Sequence, residues 1–306
     1  MRPRTIAPAL LRWFARHGRA TLPWRTNRDP YRIVVSEFML QQTQVERVVP
    51  IFEHFVKRWP SFATLAAASQ ADVVRAWKGL GYNSRAVRLL AVARTVCARY
   101  AGSLPPDQEA LRALPGIGSY TARAVAAFAF DADVVAIDTN VRRIVHRTQF
   151  GMEWPPRASL SELDAIATSL VPPGNGYAFN SALMDLGASL CTARAPKCLL
   201  CPLQSACAAA PLDAASLARS AAQHAPRRML QRLPFALSSR YVRGRVIDRL
   251  RALGPAETIS LLDLHEELGP LLATLHRERG PFVAIVERLE RDGIVERTGG
   301  DVRLTT

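Results

Sequence analysis

This chain has very little lysine, few cysteines and no long apolar run. Lysine occurs at Lys57, Lys78 and Lys197 among 40 basic residues, so arginine supplies nearly all of the positive charge. No apolar run approaches the roughly 20 residues of a membrane span, which predicts that no membrane is involved. Five cysteines in 306 residues exclude a disulfide-rich secreted domain. Convincing alternating strand patterns are missing before residue 240, so the chain up to that point is expected to be helical.

The remaining composition describes a globular and strongly basic protein. Apolar residues make up 49% of the chain, and 40 basic against 26 acidic residues give a formal net charge of +14. Such an excess favours a polyanionic partner, most simply nucleic acid. A general bias towards arginine is the alternative, and charge by itself does not separate the two. The arginine-rich N-terminus has the apolar spacing of an amphipathic helix, so we interpret it as part of a cytoplasmic, nucleoid-associated protein rather than as a transit peptide.

Apolar residues recur at helical intervals through most of residues 1–207, which predicts an all-α region. In the segment 31–55, Pro50 is the single helix breaker, so a helix is expected to reach Val49 and to kink or restart there. Further helices are predicted at about 61–68, 71–77, 84–100, 107–113, 119–129, 139–148, 159–170 and 177–190.

The composition changes after this helical region. Residues 208–227 are rich in alanine with scattered proline, which predicts a linker. Helical patterns at 240–253, 259–268 and 277–292 precede an alternating segment with a Gly-Gly turn, as in a β-hairpin. This order indicates a small winged-helix-like α+β domain over residues 228–306, the C-terminal domain. The arginines of its first helix suit phosphate contacts, and a structural or protein-docking role is equally compatible with the pattern.

Four of the five cysteines form a C-x6-C-x2-C-x5-C run of Cys191, Cys198, Cys201 and Cys207. Four soft thiolates so close in sequence can surround one metal centre, and both a four-thiolate zinc site and an iron–sulfur cluster use such a set. Structural zinc sites usually combine two separated C-x2-C pairs, whereas this run has a single C-x2-C flanked by lone cysteines. The spacing favours a cluster and leaves zinc as the alternative.

A Pro-Gly-x-Gly turn in the sequence LPGIG (114–118) separates two helical patterns. Gly116 and Gly118 can both adopt positive φ, and such a turn before a helix offers backbone N–H groups to a phosphate. A tight inter-helical turn explains the pattern equally well. Further along, Asp138 closes an apolar run at the predicted start of a helix. It is either a simple N-cap or a carboxylate fixed for chemistry, and the two interpretations are compatible.

Glu37 is the one charge in an almost wholly apolar helical stretch, IVVSEFML. Burial there would raise its pKa and keep the carboxyl protonated. A buried glutamate is costly, which favours a functional group, although a satisfied structural carboxyl is the alternative. A protonated and an ionised carboxyl form the pair that glycosidic bond cleavage uses, with the acid on the leaving group and the anion beside the sugar cation. Glu37 and Asp138 are the candidates for these two roles.

Together, the hairpin, Asp138 and the cysteine run resemble the helix-hairpin-helix DNA glycosylases of the endonuclease III type. Within that group, the chain resembles MutY-type adenine DNA glycosylases over about residues 8–208, in TLPWR (21–25), SEFMLQQTQV (36–45), GLGY (79–82) and FNSALMDLGASLCT (179–192). The resemblance implies a mainly α fold with a helical barrel at about 30–131 and a cluster-bearing domain formed by 1–29 and 132–207. It also implies a [4Fe–4S] cluster on the four cysteines. The implied activity is removal of adenine mispaired with 8-oxoguanine or guanine in double-stranded DNA, by a monomer.

The resemblance also implies roles for individual residues. Glu37 would be the general acid at adenine N7, and Asp138 the carboxylate that stabilises the sugar cation. Asn140 and Tyr120 would support these two. Gln42 and Tyr82 would enter the duplex around the extruded nucleotide, which fits chemistry on a base that must leave the stack. The remaining residues implied to contact DNA or the extruded base are Trp24, Arg25, Gly116, Gly118 and Asp185.

Some features depart from the family pattern. MutY-type enzymes commonly carry a NUDIX-like C-terminal domain, and no stretch of 228–306 matches it, so the opposite-base preference stays open. Asn83 follows GLGY where a second tyrosine is frequent. Bifunctional relatives place a Schiff-base lysine two residues after the second hairpin glycine, whereas this chain has Tyr120, which predicts a monofunctional enzyme. The alternatives are a thymine or uracil mismatch glycosylase, against which QQTQ after Glu37 argues, and a non-catalytic iron–sulfur DNA-binding regulator.

Overall fold

The computed structural model describes residues 4–152, 158–224, 235, 238–254, 257–269, 272 and 279–306. By its internal contacts the chain divides into two units. Unit 1 contains Met1–Glu37, Pro105–Ala113 and Ile117–Leu230, and unit 2 contains Phe38–Leu104, Leu114–Gly116 and Gln231–Thr306. The C-terminal domain therefore groups with residues 38–104 instead of standing apart. The predicted barrel at 30–131 differs from these bounds, because the helix that follows the LPGIG hairpin packs with residues of unit 1.

The chain is mainly helical. In chain order the first helices are α1 (Ala7–His17), α2 (Pro23–Thr26), α3 (Pro30–Leu40), α4 (Val45–Arg58), α5 (Phe62–Ala66), α6 (Gln70–Ala76), α7 (Ser84–Tyr100), α8 (Gln108–Arg112), α9 (Ser119–Phe130), α10 (Thr139–Gln149), α11 (Leu160–Ser169), α12 (Gly176–Ser189) and α13 (Ala214–His224). The C-terminal elements are α14 (Ser239–Arg251), β1 (Ile259–Ser260), α15 (Leu261–Glu267), α16 (Arg279–Arg291), β2 (Val295–Thr298) and β3 (Asp301–Leu304). None of the helices in the described ranges is long and apolar enough to span a membrane.

Capping residues in the sequence set many of the helix boundaries. Among the described residues, side chains that accept a hydrogen bond from a backbone N–H in the first turn of the helix that they precede include those of Ser61, Ser69, Asp107, Asp138, Ser159, Ser238 and Ser260. Such caps satisfy N–H groups that have no partner inside the helix. The helices predicted between residues 61 and 190 are all present, close to their expected ends. The all-α prediction for residues 1–207 is confirmed for the described part of that range.

The predicted helix break at Pro50 is wrong. The chain leaves the helix earlier, at residues 41–44, and Pro50 lies inside α4. Gln42 adopts a left-handed backbone conformation with φ +57°, which a right-handed helix cannot contain. Pro50 is tolerated because it lies in the second turn of α4, where its missing N–H removes a single hydrogen bond.

Arg85 on α7 stabilises the C-terminal end of α3. Its buried guanidinium donates to the backbone carbonyls of Phe38 (2.8 Å) and Gln41 (2.5 Å). The same group donates to the carbonyls of Leu80 (3.0 Å) and Gly81 (3.2 Å) in the loop after α6. Burial is the main cause that lowers the pKa of Arg85 to about 10, which leaves the group charged at neutral pH. One side chain in unit 2 therefore satisfies the open carbonyls at the end of α3 and ties them to a second loop.

Helix α12 lies in the middle of the unit 1 core, where it packs against α1, α9 and α10. Fully buried side chains of this core include Leu10, Ile144, Phe179 and Leu186. Burial of one such side chain contributes roughly 1.5–3 kcal/mol to stability. The packing sets α10 and α12 side by side, and both helices carry residues of the candidate site.

The C-terminal domain has a three-stranded antiparallel sheet in the order β1-β3-β2. The hairpin prediction is confirmed by β2 and β3, which pair from Val295–Leu304 to Thr298–Asp301. The helix predicted at 259–268 begins later, at Leu261, and its first two predicted residues form the strand β1, which is too short to show an alternating pattern. Together with α14, α15 and α16, the sheet has the expected winged-helix-like order of elements.

Most of the arginines on α14 have partners within the protein. Arg243 forms an ion pair with Asp292, and Arg249 pairs with Glu267 of α15. Arg251 pairs with Asp248 on its own helix. These contacts favour the structural interpretation of this arginine-rich helix over a phosphate-binding face.

The predicted linker contains a helix. Residues 214–224 form α13, whose first turn begins with hydrogen bonds from the Ser216 backbone N–H and hydroxyl to the Asp213 carboxylate. Alanine has the best helix propensity, and Leu217 is buried, so this stretch folds in spite of its composition. The remaining part of the predicted linker, residues 225–227, lies outside the described residues.

Arg85→Leu is expected to destabilise the protein by about 3 kcal/mol, because several buried carbonyls lose a charged donor. The effect would appear as a lower urea midpoint of unfolding. Arg94→Leu is the matched control, since Arg94 lies on the same helix and donates to the carbonyls of Ala66 and Ala68, but is exposed. Its replacement is expected to cost less than about 0.5 kcal/mol. Equal losses from the two substitutions would contradict the role of Arg85.

Candidate active site

Glu37 is a buried carboxyl on α3 with a relative exposure of 7%. Its helix neighbours Val34 and Val35 are fully buried, so little polar surface surrounds it. Burial first, and the charge of Asp138 second, raise the pKa of Glu37 to about 7, while a hydrogen bond from Tyr120 acts in the opposite direction. The predicted rise in pKa is confirmed. A carboxyl of this kind keeps its proton through much of the neutral range and can still donate it.

Tyr120 lies in the first turn of α9, next to Glu37. Its side chain is hydrogen-bonded to the Glu37 carboxyl. Burial, and then the charges of Glu37 and Asp138, raise the pKa of the phenol well above its ordinary value. The hydroxyl therefore stays a hydrogen-bond donor at neutral pH. Three of the four predicted catalytic side chains thus lie within electrostatic reach of one another in unit 1.

Asp138 is both the N-cap of α10 and a carboxylate fixed in one orientation. Its Oδ1 accepts a hydrogen bond from the Val141 backbone N–H at 2.7 Å, and its Oδ2 accepts one from Asn140 Nδ2 at 3.0 Å. A helix N-terminus favours a negative charge at this place. The N-cap interpretation of Asp138 is confirmed, and its chemical role stays a prediction. The fourth predicted residue, Asn140, lies directly beside it.

Arg143 continues this polar chain from α10 to α12. Its guanidinium donates to Asn140 Oδ1 at 2.8 Å, to the Gly187 carbonyl at 3.0 Å and to the Cys191 carbonyl at 2.8 Å. The two helices approach closely here, since a Cβ at Gly187 would lie 2.8 Å from the Cβ of Asn140. The chain from Asp138 through Asn140 and Arg143 thus connects the candidate site to the backbone of the first cysteine of the run.

Asp185 is buried on α12 and is held by two arginines. Arg25 donates to both carboxylate oxygens, at 2.7 and 3.0 Å, and Arg19 donates through its backbone N–H at 2.9 Å and through Nε at 2.8 Å. Burial would raise the pKa of Asp185, but the hydrogen bonds and charges of Arg25 and Arg19 outweigh it, so the pKa falls. Both oxygens are engaged by arginines, and the predicted contact of Asp185 with an extruded base stays a prediction. Trp24, next to Arg25, is buried at 6% exposure.

The LPGIG hairpin has the predicted turn, with one difference. Gly116 has φ +74°, and a Cβ there would lie 2.8 Å from Arg88 Cδ, so the position requires glycine. Gly118 does not use positive φ but is an extended N-cap of α9, with φ −88°. No side chain caps this helix start, and the space around Gly118 is open. The first N–H groups of α9 are therefore placed to meet an anion from outside.

Gln42 and Tyr82, the residues predicted to enter a duplex, both lie in unit 2. Each has a left-handed backbone, with φ +57° and +43°, and each side chain is exposed, Tyr82 to 43%. Positive φ is uncommon in residues other than glycine and is an outlier for a bulky side chain. Arg85 binds carbonyls of both loops. Exposure of Tyr82 agrees with a projecting residue and not with a core aromatic.

The four cysteines of the run line one cavity in unit 1. Two short 3₁₀ turns, Cys198–Leu200 and Gln204–Ala206, shape the loop. Arg147, exposed to only 1%, lies against it, with Nη1 at 3.6 Å from Cys191 Sγ and at 2.8 Å from the Thr192 carbonyl.

This donor set fits a thiolate-bound metal group. Burial is the main cause that raises the pKa of the Cys201 thiol to about 11, and the three other thiols act in the same direction. A metal favours the thiolate and reverses that balance. Among the described residues, no group of three or more His, Cys, Asp or Glu side chains comes together so that it could hold a single ion. The four thiols share one cavity, and the binding of a metal group by them stays a prediction.

Sequence reasoning missed several arginines that orient the site. Arg143 could have been found, because it lies three residues after Asn140 and therefore on the same helix face. Arg19, Arg85 and Arg147 gave no local signal. Each binds groups distant in sequence, and arginine is too abundant in this chain for any single one to stand out.

Comparisons with known proteins first define the class. Residues 35–168 match the HhH-GPD superfamily base excision DNA repair proteins. A thermostable thymine-DNA glycosylase has a TM-score of 0.60 and 30% identity, covering 66% of this chain and 93% of that chain. Endonuclease III in a non-covalent DNA complex has a TM-score of 0.57 at 21% identity, covering 66% and 91%, and shows the shared fold. The chain has the helix-hairpin-helix fold of base excision repair proteins, as its sequence predicted.

Curated relatives then define the family. The adenine DNA glycosylase of Mycolicibacterium smegmatis is 44% identical over 264 residues, covering 85% of each chain. That of Mycobacterium tuberculosis (strain H37Rv) is 43% identical over 265 residues, covering 86% of this chain and 84% of the relative. The human protein of the same name is 39% identical over 211 residues, covering 66% of this chain and 38% of its own length. This chain belongs to the adenine DNA glycosylase family.

Glu37→Gln is expected to stabilise the protein at high pH and to have little effect at low pH. Below the ordinary pKa of 4.5 the carboxyl is protonated in the folded and the unfolded chain. As pH rises towards the folded-state pKa of about 7, only the unfolded chain releases the proton readily, so wild-type stability falls. The glutamine variant avoids this loss, which reaches about 3 kcal/mol above pH 7.

Urea unfolding at about pH 5 and about pH 8 measures this difference. Glu162→Gln is the control, because hydrogen bonds from Ser159 lower the pKa of that exposed carboxyl, and its pH dependence has the opposite sign. A stabilisation by Glu37→Gln that did not change with pH would contradict the buried, titrating carboxyl.

Proposed function

We propose that this protein removes adenine mispaired with 8-oxoguanine or guanine from double-stranded DNA, by hydrolysing the N-glycosidic bond. The observation that carries the proposal is the placement of a buried carboxyl with a raised pKa, Glu37, beside the fixed carboxylate Asp138. Family membership indicates that the excised base is adenine, since the curated relatives are named adenine DNA glycosylases. The described side chains of this pair come from one chain, which agrees with a monomer working on chromosomal DNA in the nucleoid.

In the proposed mechanism Glu37 donates its proton to adenine N7 as the glycosidic bond breaks. Protonation turns the base into a neutral leaving group, and the electrons of the bond leave with it. Tyr120 orients the Glu37 carboxyl and gives no proton of its own. A general acid with a pKa near the working pH combines sufficient protonated fraction with sufficient acidity.

Asp138 stabilises the cationic sugar that remains. Its two hydrogen bonds, from Val141 N–H and Asn140 Nδ2, fix the carboxylate so that no reorganisation is needed when positive charge develops. Water attack on the sugar cation then completes the hydrolysis, with the proton lost from that water returning to solvent or to a carboxylate of the site. Arg143 acts through Asn140 and holds this arrangement in place.

The remaining residues recognise the DNA. Exposed Gln42 and Tyr82 insert into the duplex and favour extrusion of the target nucleotide, whose chemistry cannot proceed inside the stack. The open start of α9 after Gly118 binds a backbone phosphate. Trp24 and Arg25 line the base pocket, where the Asp185 carboxylate holds the Arg25 guanidinium in one orientation.

We also propose that Cys191, Cys198, Cys201 and Cys207 bind a [4Fe–4S] cluster. Their common cavity and the resemblance to endonuclease III-type glycosylases support this assignment. A cluster would fix the loop that contains Arg194 and Lys197, two basic residues suited to phosphate contacts. No step of the proposed chemistry passes through it.

A thymine-DNA glycosylase is the second candidate, because a solved enzyme of that name shares the fold at 30% identity. A single-turnover panel with adenine, thymine and uracil opposite guanine and 8-oxoguanine separates the candidates. Release of adenine opposite 8-oxoguanine or guanine supports the proposal. Release of thymine or uracil alone would establish the second candidate, and no release at all would favour a non-catalytic DNA-binding protein.

In this assay Asp138→Asn is expected to lower adenine excision by about a hundredfold or more, because the charge beside the sugar is lost. Duplex binding should persist, since asparagine caps a helix as well as aspartate does. Asp213→Asn is the matched control, because Asp213 also accepts a hydrogen bond in a first helical turn but lies outside the site. Glu37→Gln is expected to be as slow as Asp138→Asn, for loss of the donated proton. Wild-type rates in either site variant would refute the mechanism.

The enzyme is expected to be monofunctional, because Tyr120 occupies the place where bifunctional relatives carry a Schiff-base lysine. Borohydride added during turnover should trap no covalent enzyme–DNA adduct, and the product should be an intact abasic site. Tyr120→Lys tests the position directly and serves as the positive control for trapping if it folds. An adduct formed by the wild type at the rate of adenine release would contradict the prediction.

A further inference from the structure

The loop with Tyr82 is held in a conformation that its own sequence does not favour. Gly79 and Gly81 have φ of +95° and +68°, and Tyr82 follows them with φ +43°. Glycine adopts these values easily, but a bulky aromatic residue in the left-handed region costs of order 1–3 kcal/mol. Such a residue persists only when its surroundings determine it. The groups that hold Tyr82 are therefore informative about its use.

The first of these groups is Arg85. Its backbone N–H donates to the Tyr82 carbonyl at 3.0 Å, and its guanidinium lies 5.6 Å from the centre of the Tyr82 ring. These two contacts hold the backbone and the ring of Tyr82 against Arg85. The phenol itself extends outward, and its contacts come from elsewhere.

The second group is helix α14 of the C-terminal domain. Arg251 donates to Asn83 Oδ1 at 2.6 Å and to the Val74 carbonyl at 3.0 and 3.1 Å, and Arg240 Nη1 donates to the Tyr82 hydroxyl at 2.8 Å. All of these residues belong to unit 2. One helix of the C-terminal domain thus holds Tyr82 by its hydroxyl and by the residue that follows it.

The two arginines differ in how much they contribute. The Arg251 side chain is 9% exposed, and Asn83 is buried at 8%, so their hydrogen bond is shielded from water. Hydrogen bonds from a charged group in such surroundings contribute more than exposed ones do. Arg240 is exposed and bonds an exposed phenol, where solvent competes. Arg251 is therefore the main contact, and Arg240 orients the Tyr82 side chain through its hydroxyl.

Asn83 offers the amide oxygen that Arg251 binds. A buried guanidinium is costly without acceptors, so Asn83 and Arg251 are matched to each other.

We propose that the C-terminal domain positions the Tyr82 loop for insertion into the duplex, with Arg251 and Arg240 as positioning residues. The proposal rests on the proposed function, because it assumes that Tyr82 enters DNA beside the mispair. In this proposal the C-terminal domain has a role in DNA recognition that requires no contact between its own helices and the DNA bases. It also gives a role to the contacts that Arg240 and Arg251 of α14 make with the loop.

The test compares Arg251→Gln with Arg249→Gln. Both remove an arginine from α14, but Arg249 pairs with Glu267 inside the C-terminal domain and does not contact the loop. Two readouts are used: single-turnover adenine excision opposite 8-oxoguanine, and the fluorescence of 2-aminopurine placed beside the 8-oxoguanine, which rises when an inserted side chain unstacks it. Arg251→Gln is expected to slow excision by about tenfold, which corresponds to about 1.4 kcal/mol, and to reduce the fluorescence rise. Arg249→Gln should match the wild type, and Arg240→Gln should lie between the two.

Arg251→Gln in the Tyr82→Leu background separates positioning from general support of the fold. If Arg251 acts through Tyr82, its replacement causes no further loss once Tyr82 is gone, because the two effects are not additive. Arg251→Lys should recover part of the rate, since it keeps a charged donor. Asn83→Ala removes the same hydrogen bond without touching α14, and should reproduce the pattern if Arg251→Gln folds poorly.

Any of three results would overturn the proposal. The first is that Arg251→Gln matches Arg249→Gln in both readouts, the second is an equally large loss from Arg251→Gln in the Tyr82→Leu background, and the third is an unchanged fluorescence rise in Asn83→Ala. Failure of the proposed function is visible separately, because the wild-type protein would then release no adenine before any variant is compared.

Discussion

The candidate site depends on a polar chain that crosses from α10 to α12 in unit 1. Asp138 accepts from Asn140, Asn140 accepts from Arg143, and Arg143 donates to carbonyls of Gly187 and Cys191. Partly buried polar groups of this kind are stable only when their partners are present, so the orientation of Asp138 depends on each member. The glycine at position 187 makes the chain short enough, because any Cβ there would collide with Asn140. The proposed mechanism needs the Asp138 carboxylate in place before the sugar becomes cationic, and helix packing several residues away fixes it there.

Arginine explains more of this fold than its positive charge alone suggests. The net charge of +14 indicates a polyanionic partner. Yet Arg85, Arg143, Arg147 and Arg251 all direct their guanidinium groups at backbone carbonyls inside the protein. The guanidinium offers five donors in a planar fork, so one side chain can satisfy several carbonyls where helices end, which a lysine ammonium does less well. The scarcity of lysine therefore has a structural explanation, the binding of several carbonyls by one guanidinium, besides a general compositional bias towards arginine. It also means that net charge overstates the surface available to DNA.

The sequence predicted the parts that depend on local interactions. Helices came out close to their expected ends because Ser159 and Asp107 cap them within one turn. Glu37 was a candidate because a lone charge in an apolar helix is costly, although a satisfied structural carboxyl would give the same pattern. The break at Gln42 was missed, since its cause is Arg85, far along the chain. The helix in the predicted linker was missed because an alanine-rich stretch with scattered proline is typical of a linker, although Asp213 caps a helix there. Contacts between residues that are distant in the sequence produce no periodic pattern in it. Such contacts, like those of Arg85, determine where the loops with Gln42 and Tyr82 lie.

The same long-range logic applies to the two carboxyls. Glu37 and Asp138 are both acids in unit 1, but Glu37 lies inside α3 next to the buried Val34 and Val35, whereas Asp138 is the N-cap of α10. Burial raises the pKa of Glu37 to about 7, and the charge of Asp138 adds to the shift. Protonating Glu37 removes the repulsion between them, and releasing that proton restores it. In the proposed mechanism, proton donation to a base therefore coincides with the appearance of a positive charge that Asp138 stabilises. The developing sugar cation of that mechanism supplies this charge as Glu37 becomes an anion, so a pair in such unequal surroundings suits glycosidic cleavage better than two acids in equal surroundings.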